Sequence, residues 1–452
     1  MNATPPPHDL TTPPPHHLSR GGRRVVLAAA FAGLLFDGAE LGLMPLASLS
    51  VTRDLLGDRF TPALGADWFA RLTAALMLGA AVGGILFGRL GDRVGRTRAM
   101  GVSVLFYSLF AGAGLFVTSL EQLLILRFLV GLGVGGVWPN GVALVAECWP
   151  SVSRPVASGV MGAGINVGIL LLAQAARVWP VTPESWRWLF GWSAAPALLA
   201  VAALGLVPES PRWLASRAAA VGPGAAHASW RELFRPPLLR RTLVGIALGS
   251  IPLVGAWAAS KWMIPWADQV GGSAQPGYKA VTQGCWAVGA TLGSFCGAQL
   301  ASLLGRRLSY FLISFGSTVL TCGLFLFTEP LDGLFLPWVF AQGFVATLFF
   351  GWLPLYLPEL FPTQVRATGS GLSYNTGRFA TAVAVFGAGI LAAWFGGDLA
   401  RVGAVTGLVY ALGMLVVWWA PATSATTLDE GPGGYCSDPK NGRDPSRTRA
   451  GC

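Results

Sequence analysis

The chain has 452 residues, 53% of them hydrophobic and only 12% charged, with 60 Gly, 18 Trp, 25 Phe and a mean hydropathy of +0.57. Soluble domains carry about 25% charged residues, so this composition excludes a water-soluble enzyme, a disordered chain and a disulfide scaffold. The net charge of +10 raises the question of nucleic acid. The basic residues, however, sit in short gaps between long apolar runs and form no stripe interleaved with aromatics, so the surplus reads as membrane topology.

In chain order, residues 1–24, with Pro5 to Pro7, Pro13 to Pro15, three His and three Arg, read as a disordered tail. Twelve runs follow, each able to cross a hydrocarbon core of about 30 Å as a helix: 25–50, 68–90, 98–118, 121–145, 154–179, 186–207, 241–267, 279–304, 307–328, 333–357, 366–396 and 399–420. They predict an all-α membrane protein with six-helix halves over 25–207 and 241–420. Residues 208–240 form the loop between the halves, and 421–452 a second polar tail. With the first tail inside, inner segments before the last tail hold seventeen basic residues and outer ones seven. That asymmetry places both termini in the cytoplasm, in an inner or plasma membrane. His8, His16, His17 and His227 lie outside the spans, and no metal-ligand spacing or nucleotide-binding loop is present. No cofactor is therefore expected, and the six Cys read as reduced thiols.

Two internal echoes relate the halves. Glu147, Pro150, Arg154, Ser158 and Gly159 recur as Glu359, Pro362, Arg366, Ser370 and Gly371, at an offset of 212. Leu90, Gly95 and Arg96 recur as Leu300, Gly305 and Arg306, at 210. Paired halves are the architecture of transporters that rock about a central site.

From Val25 to Trp419 the chain resembles the major facilitator superfamily. Gly88-Arg-Leu-Gly-Asp92-Arg93-Val-Gly95-Arg96-Thr-Arg98 is similar to the family's signature loop between helices 2 and 3. The segments Arg127 to Gly133, Glu147 to Arg154, and Pro208-Glu-Ser-Pro-Arg212-Trp-Leu214 resemble the sugar and organic-ion porters. The resemblance implies alternating access. Gates are expected at Asp92, Arg93, Arg96, Glu147, Arg154, Glu359 and Arg366, unless the arginines only anchor topology. Ser302 stands where the second half would match Asp92, so gating is expected to be asymmetric.

Charges inside spans cost about 2.5 to 3.5 kcal/mol on insertion scales and mark candidate sites. In the first span Asp37 and Glu40 share a helix face, about 18 and 22 Å from the inner surface. Arg127 lies at a similar level, so the three can meet. The carboxylates are then proton carriers, or a static ion pair holding helices 1 and 4. Asp37-Gly-Ala-Glu40 resembles the Asp-Gly-X-Asp of aromatic-acid and related organic-acid proton symporters, with Glu in place of the second Asp.

Arg378 lies about 18 Å deep with no acid in its own helix, which fits a substrate carboxylate or a buried pair with the other half. Asn166, Asn375, Trp257, Gln283 and Gln342 are further candidate substrate contacts. Lys261, about 30 Å along its helix from Arg241, reads as a snorkelling residue near the outer surface. The glutamine-rich pattern of sugar porters is missing from Gly249 to Trp262, and the Gly-Pro of drug exporters from Gly159 to Gly168.

The chain therefore reads as a monomeric, non-enzymatic symporter importing a small organic anion with protons. A sugar or neutral-metabolite porter, a proton-coupled exporter and a non-transporting metabolite sensor are the alternatives. Its partners are the substrate, protons and the bilayer, with no nucleic acid.

Overall fold

Long apolar runs with no unpaired polar backbone form helices in hydrocarbon, and twelve such helices lie among the described residues of the computed structural model. They are α1 (Arg20–Arg59), α2 (Pro62–Val94), α3 (Arg96–Phe116), α4 (Leu120–Val145), α5 (Gly159–Val178) and α6 (Arg187–Leu206) in the first half. The second half holds α7 (Leu238–Gly271), α8 (Tyr278–Leu304), α9 (Arg306–Phe327), α10 (Phe335–Leu360), α11 (Gly369–Trp394) and α12 (Leu399–Trp419). The structure describes residues 18–148, 154–211, 213, 214, 217, 230–361, 365–421 and 423, with no strand among them. Pro150, Arg212, Pro362, the side chains of Arg154 and Arg366, and nearly all of the expected second tail lie outside the described residues.

Caps set several boundaries. The Ser19 hydroxyl accepts from Gly22 N at 3.0 Å and starts α1 at Arg20, inside the segment expected to be a tail. Thr61 accepts from Leu64 N, and Pro62 opens α2 six residues before the expected start. In α7, where Pro252 removes an amide donor, a π turn over Gly255–Ala259 and a 3-10 turn over Ser260–Trp262 interrupt the regular helix.

Packing repeats with a shift of six helices. In the first half α2 packs on α4, α3 on α4 and α6, and α1 on α5; in the second, α8 packs on α10, α9 on α10 and α12, and α7 on α11. The halves meet through α5 against α8 and α2 against α11. Glycines carry the tightest crossings. A Cβ at Gly79 or Gly83 of α2 would lie 2.2 and 1.9 Å from the carbonyls of Phe128 and Leu132. At Gly289 and Gly293 of α8 it would lie 2.2 and 2.1 Å from those of Phe340 and Phe344. These pairs keep the offsets of 210 and 212 seen in the motifs, so the repeat extends into the packing. The turns after α2 and α8 use left-handed Gly95 (φ +112°) and Gly305 (φ +82°). Exposed Leu86, Leu109, Ile125, Leu198, Phe327 and Trp394 face outward, as a lipid-facing surface requires.

Candidate substrate cavity

A cavity between the halves is lined by three charged side chains: Asp37 from α1, Lys261 from α7 and Arg378 from α11. Trp138, Trp257, Trp286, Tyr374 and Phe350 supply aromatic walls, and Asn166 and Thr347 add polar groups. On the side nearer the termini, Trp138 stacks on Tyr374 across the halves, with centroids 5.9 Å apart. On the far side, Phe69 meets Trp262 edge-on at 4.9 Å. Lys279 there donates to Ser50 Oγ at 2.9 Å, joining α8 to α1, and pairs with Asp268 at 3.1 Å.

The expected cluster of three charges divides in two. Arg127 Nη1 donates to Glu40 Oε1, a pair with side chains 1% and 2% exposed. Asp37, one turn earlier, turns into the cavity, and its Oδ1 has no partner among the described residues. Arg378 Nη1 donates to the main-chain carbonyls of Ala80 (3.2 Å) and Gly135 (3.4 Å), and its guanidinium lies over Tyr374 at 5.4 Å. No carboxylate among the described residues stands at ion-pair distance from Arg378.

Other candidates sort by their partners. Trp257 and Asn166 line the cavity, and Asn166 Nδ2 also ties α5 to α8 through Ser294 Oγ at 2.9 Å. Three residues expected in the lining stand elsewhere. Gln342 is fully buried, accepts from Trp286 Nε1 at 2.8 Å and donates to Ser260 Oγ and Thr321 Oγ1. Its amide is consumed within the second half. Gln283 is buried beside Gly42, its amide unpartnered among the described residues. Asn375 packs against Gly84 of α2. Lys261, expected to snorkel, is instead 2% exposed inside the bundle, its ammonium 3.4 Å from the Trp286 ring centroid. Depth counted from Arg241 treats that residue as the membrane surface, whereas α7 is 34 residues long and carries a π turn.

At the end carrying the termini, each half holds a charge cluster. Arg96 bridges Asp92 and Glu147, and Glu147 accepts from Ser210 Oγ. Arg306 grips both oxygens of Glu359 at 2.8 and 3.1 Å, and Glu359 accepts from Thr423 Oγ1 at 2.7 Å. Among the described residues Ser302 Oγ bonds only its own helix, at Ala298 O, and Arg306 has no second acid at ion-pair distance where Arg96 has Asp92. Arg93 is exposed, and its carbonyl accepts from Arg217 Nη1. Glu209 was not singled out from the Pro208 to Leu214 motif. Its carboxylate caps α3, accepting from Thr97 N at 3.1 Å, a favourable place for an anion.

The repeated six-helix packing has a counterpart in sequence: residues 27–384 match the profile of the Major Facilitator Superfamily. This chain belongs to that superfamily. Similar to this chain is a "Probable 4-methylmuconolactone transporter" of Cupriavidus pinatubonensis, 32% identical over 79% of this chain and 82% of that one. A cis,cis-muconate transport protein of Acinetobacter baylyi is 29% identical over 86% and 91% of the two chains. In three dimensions the superfamily fold recurs in a D-xylose-proton symporter, with a TM-score of 0.69 and 17% identity over 89% of this chain and 99% of that one. Like these relatives, the chain is a multi-pass membrane transporter and not an enzyme.

Proposed function

We propose that this transporter imports a small organic anion together with protons by alternating access, acting as a monomer with both termini in the cytoplasm. The observation that carries the reading is Arg378. A guanidinium in the cavity, held on main-chain carbonyls and an aromatic face with no acid at ion-pair distance among the described residues, presents unfilled donors to a carboxylate. The names of the muconate and muconolactone relatives favour the same class. Trp257, Asn166 and the aromatic walls shape the rest of the site. Asp37 is the proposed proton carrier, and the Arg127–Glu40 pair its fixed neighbour. The clusters around Asp92, Arg96 and Glu147 and around Arg306 and Glu359 are proposed gates that form and break between states.

Arg378→Lys tests the reading, because an ammonium does not reproduce two parallel guanidinium hydrogen bonds. Affinity for a bound monocarboxylate is expected to fall about 10-fold to 150-fold, the worth of a charge-assisted hydrogen bond, and its neutral ester should bind the unmutated protein weakly by a similar factor. Normal binding of the acid by Arg378→Lys, or equal binding of acid and ester, would move the sugar or neutral-solute reading ahead. Substrate counterflow in vesicles separates a transporter from a sensor, and its preferred direction separates importer from exporter.

A further inference from the structure

Lys261 is a buried ammonium that the reading above does not use. It lines the cavity, is 2% exposed, and its Nζ has neither a hydrogen-bond acceptor nor an acid at ion-pair distance among the described residues. Two indole faces hold it instead, Trp286 at 3.4 Å and Trp257 at 5.9 Å from the ring centroids. The nearer indole is fixed, because its Nε1 donates to Gln342, which is itself anchored on Ser260 and Thr321. A π face attracts a desolvated cation but leaves its three N–H donors unused. Within one cavity there are thus two basic side chains, Arg378 and Lys261, with no carboxylate at ion-pair distance among the described residues, against the single acid Asp37 of the lining.

We propose that Lys261 is a second anion anchor, resting on Trp286 when the site is empty, and that the substrate is a flat, unsaturated acid carrying two acidic groups. One group is taken by Arg378 and the other by Lys261. The spacer lies among the aromatic walls, where sp2 carbons stack and a branched aliphatic chain does not. This inference rests on the organic-anion reading and adds the number of charges the substrate bears.

The test uses the full-length protein in detergent, with binding of cis,cis-muconate, isophthalate and the monomethyl ester of each followed by calorimetry. The unmutated protein is expected to bind each diacid at least about 10-fold more tightly than its monoester. Lys261→Met keeps the side-chain volume and removes a buried charge, so it is expected to fold, with its ligand-free melting temperature as the check. It should lose the diacid preference, with diacid affinity falling to about that of the monoester. Lys261→Arg should retain the preference, as a cation at the same place. The proposal is overturned if the unmutated protein shows no diacid preference, if Lys261→Met keeps that preference, or if Lys261→Met weakens diacid and monoester equally. Arg378→Lys combined with Lys261→Met separates the two readings: normal monoester binding by that double variant sinks the organic-anion assignment.

Discussion

Two carboxylates one turn apart on α1 face opposite fates when neutralised. Glu40 is locked to Arg127 in the interior, so Glu40→Gln leaves a buried guanidinium unpaired and is expected to cost about 3 to 5 kcal/mol, seen as a lowered melting temperature. Asp37 has no such partner. Asp37→Asn should fold normally, abolish uptake driven by a pH gradient and preserve exchange at equal pH; accumulation at the unmutated rate would remove its role as proton carrier. The sequence flagged Asp37, Glu40 and Arg378 because a charge in an apolar run is an anomaly on its face. Gln342 was misleading for the opposite reason. A glutamine in a span reads as lining, but its partners Trp286, Ser260 and Thr321 come from three other helices, and one chain's sequence does not say which helices meet.

At the scale of the helix, hydropathy summed over twenty residues made all twelve spans legible, while single side chains moved their ends. The second span was expected from residue 68, but Asp67, just before that point, lies inside α2 and pairs with Arg71 at 2.8 Å. The close crossings give a graded prediction. Gly83→Ala places a methyl carbon 1.9 Å from the Leu132 carbonyl, so α2 and α4 must part, at a cost of about 1 to 3 kcal/mol. Gly88→Ala, five residues along the same helix, meets nothing within 4 Å and should leave stability unchanged. Equal melting temperatures for the two variants would count against the packing described. If Gly88→Ala nonetheless stops transport, the signature loop needs that glycine in a conformation other than this one.

For the whole molecule, the cavity is bounded on both sides by contacts between the halves: Trp138 on Tyr374 nearer the termini, Phe69 on Trp262 and Lys279 on Ser50 at the far end. Ser50→Ala removes the acceptor that crosses the halves and keeps the Lys279–Asp268 pair within one. It should shift the population toward a far-end-open state. A cysteine placed at Thr347 should then react faster with a membrane-impermeant reagent added to the far face, and an unchanged rate would tell against the latch. Asp92→Asn should slow transport while affinity stays nearly constant, because Asp92 stands at the terminal end of α2, away from the cavity; loss of affinity at an unchanged maximal rate would argue against a gate there.

The hydroxyls of Ser210 and Thr423 bear on how the chain comes together. Each follows the last helix of its half and returns to the glutamate at the end of that half's fourth helix. Each six-helix unit is therefore tied shut by its own chain, with its own crossings and its own charge cluster. Residues 218–229 join the two units in sequence. Cut there, the protein should survive as two polypeptides: coexpressed pieces 1–222 and 223–452 have α5 against α8 and α2 against α11 to find one another, and they should copurify and transport as the intact chain does.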